Sequence, residues 1–101
     1  MNLKNEIPLQ ASPEIVFREE EEGAFLFNPE TGELKCLNSI GSVIWSLCDG
    51  KTNSDQLEKS ISEQYPVISR QRIHEDLTTF LLELLDIGYL KYSPTNERTS
   101  I

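Results

Sequence analysis

Between Leu34 and Leu47 the apolar pattern changes period within three residues, and no other feature of the chain restricts its possible folds so sharply. Leu34-Lys35-Cys36-Leu37 reads as a short strand. From Ile40 onward, Ile40, Val43, Ile44 and Leu47 recur at helical spacing, with Trp45 beside them. Only Asn38 and Ser39 lie between the two patterns, and either can accept the free N–H groups of a first helical turn. Gly50 is placed to end that helix in the left-handed conformation. Gly41, inside so short a helix, costs about 1 kcal/mol relative to alanine, which implies that another backbone passes close there. The result is a strand running directly into a helix, a corner with no loop to relax it.

Two further strands precede the corner. Ile15-Val16-Phe17 and Ala24-Phe25-Leu26-Phe27 are rich in β-branched and aromatic residues. The breaks between strands are the glutamate run closed by Gly23, and Asn28-Pro29-Glu30-Thr31-Gly32. Both are short enough for hairpins, so a three-stranded antiparallel meander is expected. After the corner, Thr52-Asn53-Ser54 offers caps for a second helix with Leu57 and Ile61 inward, ending before Pro66. Ser69 caps a third, carrying Ile73, Leu77, Phe80, Leu81, Leu84 and Leu85 and closing at Ile87-Gly88. Tyr89-Leu90-Lys91-Tyr92 is a short extended end. The order β-β-β-α-α-α predicts an α+β fold with one small sheet against a helical layer. The chain divides into a flexible N-terminus at 1–13, one domain at 14–92 and a flexible tail at 93–101.

Charge and motif content narrow the function. Nine Lys and Arg against seventeen Asp and Glu give a net charge of −8, and the cations are scattered, so nucleic acid and anionic membrane are poor partners. Cys36 and Cys48 are lone thiols without zinc or redox spacing, read as small apolar residues in or near the core. No apolar run is long enough for a membrane span and no signal peptide is evident, which points to a reducing cytoplasm. His74, the single histidine, has no signalled partner and reads as an exposed helix residue. Glu75, Asp76, Glu83 and Asp86 read as a solvated helix face. No phosphate loop, HExxH or serine elbow occurs, so the expectation is a protein that is not an enzyme, with no cofactor and no metal. Trp45 is expected to be a core anchor between sheet and helices.

The ordered set Leu37-Asn38, Gly41, Ile44-Trp45, Asp49-Gly50-Lys51-Thr52, and then Leu81, Leu84, Leu85, Gly88 and Leu90 resembles the PqqD-like family, also described as RiPP recognition elements. The similarity runs from about Ile15 to Leu90. It implies a winged helix-turn-helix-like fold of three antiparallel strands followed by three helices. It also implies a function: binding the leader of a ribosomally made precursor peptide and presenting it to a separate modifying enzyme, such as a radical SAM enzyme, a protease or a cyclase. The leader would add as a strand against Glu33, Leu34, Lys35, Cys36 and Leu37, in a groove walled by the third helix. Main-chain hydrogen bonds would give affinity and alternate side chains specificity. Lys35, Asp76 and Glu83 would select charges on the leader, with Leu34, Cys36, Phe80 and its neighbour Thr79 in contact. Which face of the strand Leu34 and Cys36 occupy stays open, because a one-residue shift reverses them. Two other readings stand beside this one: a structural or dimerising subunit, and a winged-helix DNA-binding protein, which the acidic third helix disfavours.

Overall fold

The computed structural model describes residues 2–93. Nine elements follow in chain order: β1 (Leu9–Ala11), β2 (Val16–Glu20), β3 (Gly23–Asn28), β4 (Glu33–Leu37), α1 (Ser39–Leu47), β5 (Asp49–Thr52), α2 (Ser54–Gln64), α3 (Arg70–Asp86) and β6 (Leu90–Tyr92). The expected meander is present as a sheet ordered β2-β3-β4. A second three-stranded antiparallel sheet, ordered β5-β1-β6, was not expected from the sequence.

The second sheet corrects the reading of the N-terminus as flexible through residue 13. Leu9 pairs with Thr52 on one side and Tyr92 on the other, and its side chain is fully buried. Burying one leucine contributes about 2 kcal/mol. Upstream of it, the Lys4 N–H donates to the Tyr92 hydroxyl at 2.9 Å and Ser54 Oγ lies 2.8 Å from Asn5 Oδ1. At the other end the Ser93 N–H donates to the Pro8 carbonyl at 2.8 Å. The rest of the expected C-terminal tail, 94–101, lies outside the described residues.

In the first sheet, alternation sends Phe17, Ala24, Leu26, Lys35 and Leu37 to the helix side. Ala24, Leu26 and Leu37 are buried there, and the Phe17 ring meets Trp45 with centroids 6.5 Å apart. Trp45 is thus a core residue between sheet and helices, as its bulk suggests. Asn38 turns the corner: its backbone is extended and its Oδ1 accepts from the Gly41 N–H at 2.8 Å. Helix α1 stops three residues before Gly50, at a Cys48 cap whose N–H donates to the Trp45 carbonyl at 3.1 Å. Gly50 instead holds its positive φ of 83° inside β5, where it sits against the Gln10 side chain. The buried stripe of α1 runs Gly41, Ile44, Trp45 and Cys48, one step round from the expected one, leaving Ile40, Val43 and Leu47 half-buried on its flank.

Helix α2 opens on a capping box in which Asn53 and Gln56 satisfy each other's backbone N–H groups. Helix α3 opens on Ser69 and buries Ile73, Leu77, Leu81 and Leu84. The two helices are joined by polar contacts as well. Glu58 of α2 accepts from Arg70 Nε at 2.9 Å and lies 2.6 Å from His74 Nδ1. His74 therefore has a partner that the sequence did not signal. Burial would raise the Glu58 pKa, but the contacts with His74 and Arg70 outweigh it and hold the carboxyl below its ordinary 4.5. A depressed folded-state pKa contributes stability that is complete above the unfolded value and is lost as pH falls through the folded one. Replacing Glu58 by Gln should therefore cost up to about 1 kcal/mol at neutral pH. Urea unfolding over a pH series should show the variant and the wild-type curves converging in acid.

Candidate peptide-binding cleft

Strand β4 ends the first sheet. It pairs with β3 on one side, and among the described residues no strand pairs with its other edge. Across from that edge runs α3, and between them lies a cleft of about 410 Å³. Lys35, Cys36, Leu37 and Asn38 line one side, and Asp76, Thr79, Phe80 and Glu83 the other. Asp76, Thr79, Phe80 and Glu83 share one helix face because they are spaced by three, four and seven. The apolar lining is completed by Ile40 and Ile44 of α1, Ile61 of α2, Ile68 of the connecting segment, and Ile73 and Leu77 of α3.

Seven of the nine residues expected at the site come together here. Glu33 and Leu34 do not line the cleft. Leu34 corrects the expected apolar contact: Lys35 is cross-strand from the buried Leu26, so Leu34, one residue away, points to the opposite face of the sheet, 58% exposed. Cys36 also points that way by alternation and is exposed, which corrects its reading as a core residue; only its edge position brings it to the cleft. Cys48, by contrast, is buried, and that burial, with the charge of Asp49 beside it, pushes its thiol up to about 12, so it is unreactive at neutral pH.

The corner itself shapes the cleft. A Cβ on Gly41 would stand 3.3 Å from Asn38 Oδ1, 3.4 Å from Leu37 Cβ and 3.6 Å from Phe80 Cζ. The close neighbours of Gly41 are therefore side chains, not the passing backbone expected from the sequence. The Phe80 ring packs against the start of α1 beside Gly41, and both residues line the cleft. Gly41→Ala would require the Asn38 cap to give by a few tenths of an ångström, while the Phe80 ring would meet the new methyl at ordinary contact distance.

At the mouth, Lys35 Nζ lies 3.8 Å from Glu83 Oε1, with both side chains partly in solvent. Such a pair is worth about 1 kcal/mol or less, so a charged group arriving at the cleft can replace either member. Asp76 is occupied differently, accepting from Arg72 Nε at 2.9 Å on the helix surface. The isoleucines from α1, α2 and the segment before α3 were missed by sequence reasoning. The helical periodicity of Ile40, Ile44 and Ile61 marks them as core, and nothing in it distinguishes a core residue from one at the bottom of a cleft; Ile68 lies between helices, where no period marks it.

Among the described residues no group of three or more His, Cys, Asp or Glu is placed to hold a metal ion, and no helix is long and apolar enough to cross a membrane.

Comparison with known proteins places this geometry in a family. Residues 23–90 match the family described as coenzyme PQQ synthesis protein D (PqqD). No curated protein matches the chain. Among solved structures, TbiB1 in complex with the TbiA(beta) leader peptide is similar at 26% identity and a TM-score of 0.70, over 81% of this chain and 94% of that one.

Proposed function

We infer, for a chain that belongs to the PqqD family, that it is a recognition module: it holds the leader segment of a ribosomally made precursor peptide and brings that peptide to a separate modifying enzyme. The observation that carries this reading is the unpaired edge of β4 facing α3 across an apolar cleft. An extended peptide laid along that edge gains main-chain hydrogen bonds from β4. Its inward side chains enter the cleft among Ile40, Ile44, Ile73 and Phe80, and its charged residues meet Lys35, Asp76, Glu83 or the exposed Glu33 beside them. The similarity to a leader-bound protein supports the same reading.

An open strand edge ordinarily recruits other strands indiscriminately. Here one end of β4 is fixed by α1 and the approach is walled by α3, so the edge admits a single narrow segment. The arrangement of β2-β3-β4 with the three helices supports a winged helix-turn-helix-like description, and the two free thiols support a reducing compartment such as the cytoplasm. The chain acts without chemistry of its own, and the partner that modifies the peptide is a radical SAM enzyme, a protease or a cyclase.

Titration calorimetry of the full chain with the leader of a precursor encoded beside it tests the reading. The expected result is saturable binding of a segment of about 10 to 20 residues, with micromolar or tighter affinity, the scale of short strand-adding interfaces. Absence of heat, together with absence of competition against a labelled leader, would reject it.

A further inference from the structure

The face of the first sheet turned away from the helices is apolar where water should favour polar residues. Register places Val16, Phe27 and Leu34 in one cross-strand row, 48%, 37% and 58% exposed. Arg18, the half-buried Phe25 and Cys36 form the next row. Val16, Arg18, Glu20, Phe25, Phe27 and Leu34 together line a shallow hollow of about 360 Å³. Both ends of the face are acidic. Glu20 lines the hollow at its β2 end with Glu21 and Glu22 next to it in the β2–β3 turn, and Glu30 lies at the β3–β4 turn.

We propose that this face docks the modifying enzyme, through an apolar patch on the enzyme flanked by lysines and arginines, and that the bound leader completes the docking surface. The proposal rests on the leader-binding reading above. Size and charge select this occupant over a second copy of the chain. Three strands about 4.8 Å apart and three same-face rows about 6.8 Å apart give a footprint of roughly 300 Å², against the roughly 800 Å² each partner contributes to a stable interface. A face-to-face dimer would also bring two chains of net charge −8, and their glutamate hairpins, together. The face is large enough only as part of a wider surface, and the leader provides the extension. A peptide strand added to β4 continues the sheet, and every second side chain of it lies flush with Leu34 and Cys36. The enzyme then meets a four-stranded face whose outer strand is the substrate's own leader, and by linkage each partner strengthens the binding of the other.

The test uses the full chain, the leader peptide and the modifying enzyme encoded beside the chain, with association to immobilised enzyme and leader affinity measured separately. Leader should tighten enzyme association about tenfold, and the double variant Val16→Thr/Phe27→Thr should weaken it about tenfold while leaving leader affinity within about twofold. Glu20→Lys/Glu22→Lys, exposed at the hairpin beside the hollow, should weaken it as well and flatten its salt dependence. Threonine keeps strand propensity, and the charge variant stands if the threonine pair fails to fold. Unchanged enzyme association in both variants, or leader that loosens the enzyme, overturns the proposal. So does a concentration-dependent dimer in sedimentation that Val16→Thr/Phe27→Thr abolishes, since that assigns the face to a second copy. Failure of the leader reading is distinguishable, because it registers as no leader binding by the wild-type chain itself.

Discussion

Gly23→Ala should be the most damaging single-methyl change in the molecule. Gly23 opens β3 with φ at 150°, a conformation L side chains rarely adopt, and a Cβ there would fall directly on the Leu37 carbonyl oxygen. Leu37 is the last residue of β4 and the one that hands the chain to α1, so its carbonyl has no freedom to retreat. The strain at φ and the forced separation of two paired backbones together cost about 3 kcal/mol or more. In a domain of this size that lowers the melting temperature by roughly 12 to 24 °C. Differential scanning calorimetry checks it, and Gly32→Ala is the control. Gly32 also has positive φ, 80°, but an added Cβ there meets nothing. Its loss should be limited to the backbone term, about 1 kcal/mol. Equal losses in the two variants would show that the corner is not under the constraint described.

The parts of the fold that could be read from the sequence are those whose apolar period spans several residues. The β2–β4 meander, the switch of period at Asn38 and the stripe of α3 all carry that signal, and all are present. The second sheet has none. Leu9–Ala11 is three residues long, and Asp49–Thr52 contains no apolar side chain and begins Asp-Gly, the usual composition of a turn. These segments become strands only because β6 returns beside Leu9, a long-range pairing that local propensity does not encode. The Asp49 carboxylate does retain its turn chemistry: it accepts from the Lys51 N–H at 2.9 Å and the Thr52 hydroxyl at 3.0 Å, with its pKa lowered chiefly by the first.

The candidate site was legible on its two walls and not at its floor. Lys35 through Leu37 and the Asp76–Glu83 face follow from strand and helix geometry once the family resemblance sets them opposite each other. The orientation of Leu34 required one further fact, the pairing of Lys35 with Leu26, because alternation alone leaves the two faces interchangeable. The contribution of Ile61 and Ile68 depends on how α2 and α3 splay, which no local pattern records.

Proline on β4 separates binding at the edge from the stability of the sheet. Within an antiparallel strand, successive N–H groups point alternately toward the neighbouring strand and away from it. Of Lys35 and Cys36, one therefore donates into the β3 pairing and the other points toward the cleft edge. Proline at the outward position removes no bond of the free protein, but it deletes a donor and puts a ring where the incoming strand must lie. That variant should keep the wild-type circular dichroism and lose leader binding by about a hundredfold or more, one main-chain bond's worth plus the steric block. Proline at the other position breaks the β3–β4 ladder and should lower stability first. Lys35→Glu provides the side-chain control: it converts the Lys35–Glu83 attraction into repulsion at the mouth of the cleft while keeping the backbone donor. It should weaken acidic leaders and spare basic ones, by a factor of about five, within the range of an exposed pair. Full leader affinity in a folded variant with proline at the outward position would place the leader somewhere other than the β4 edge.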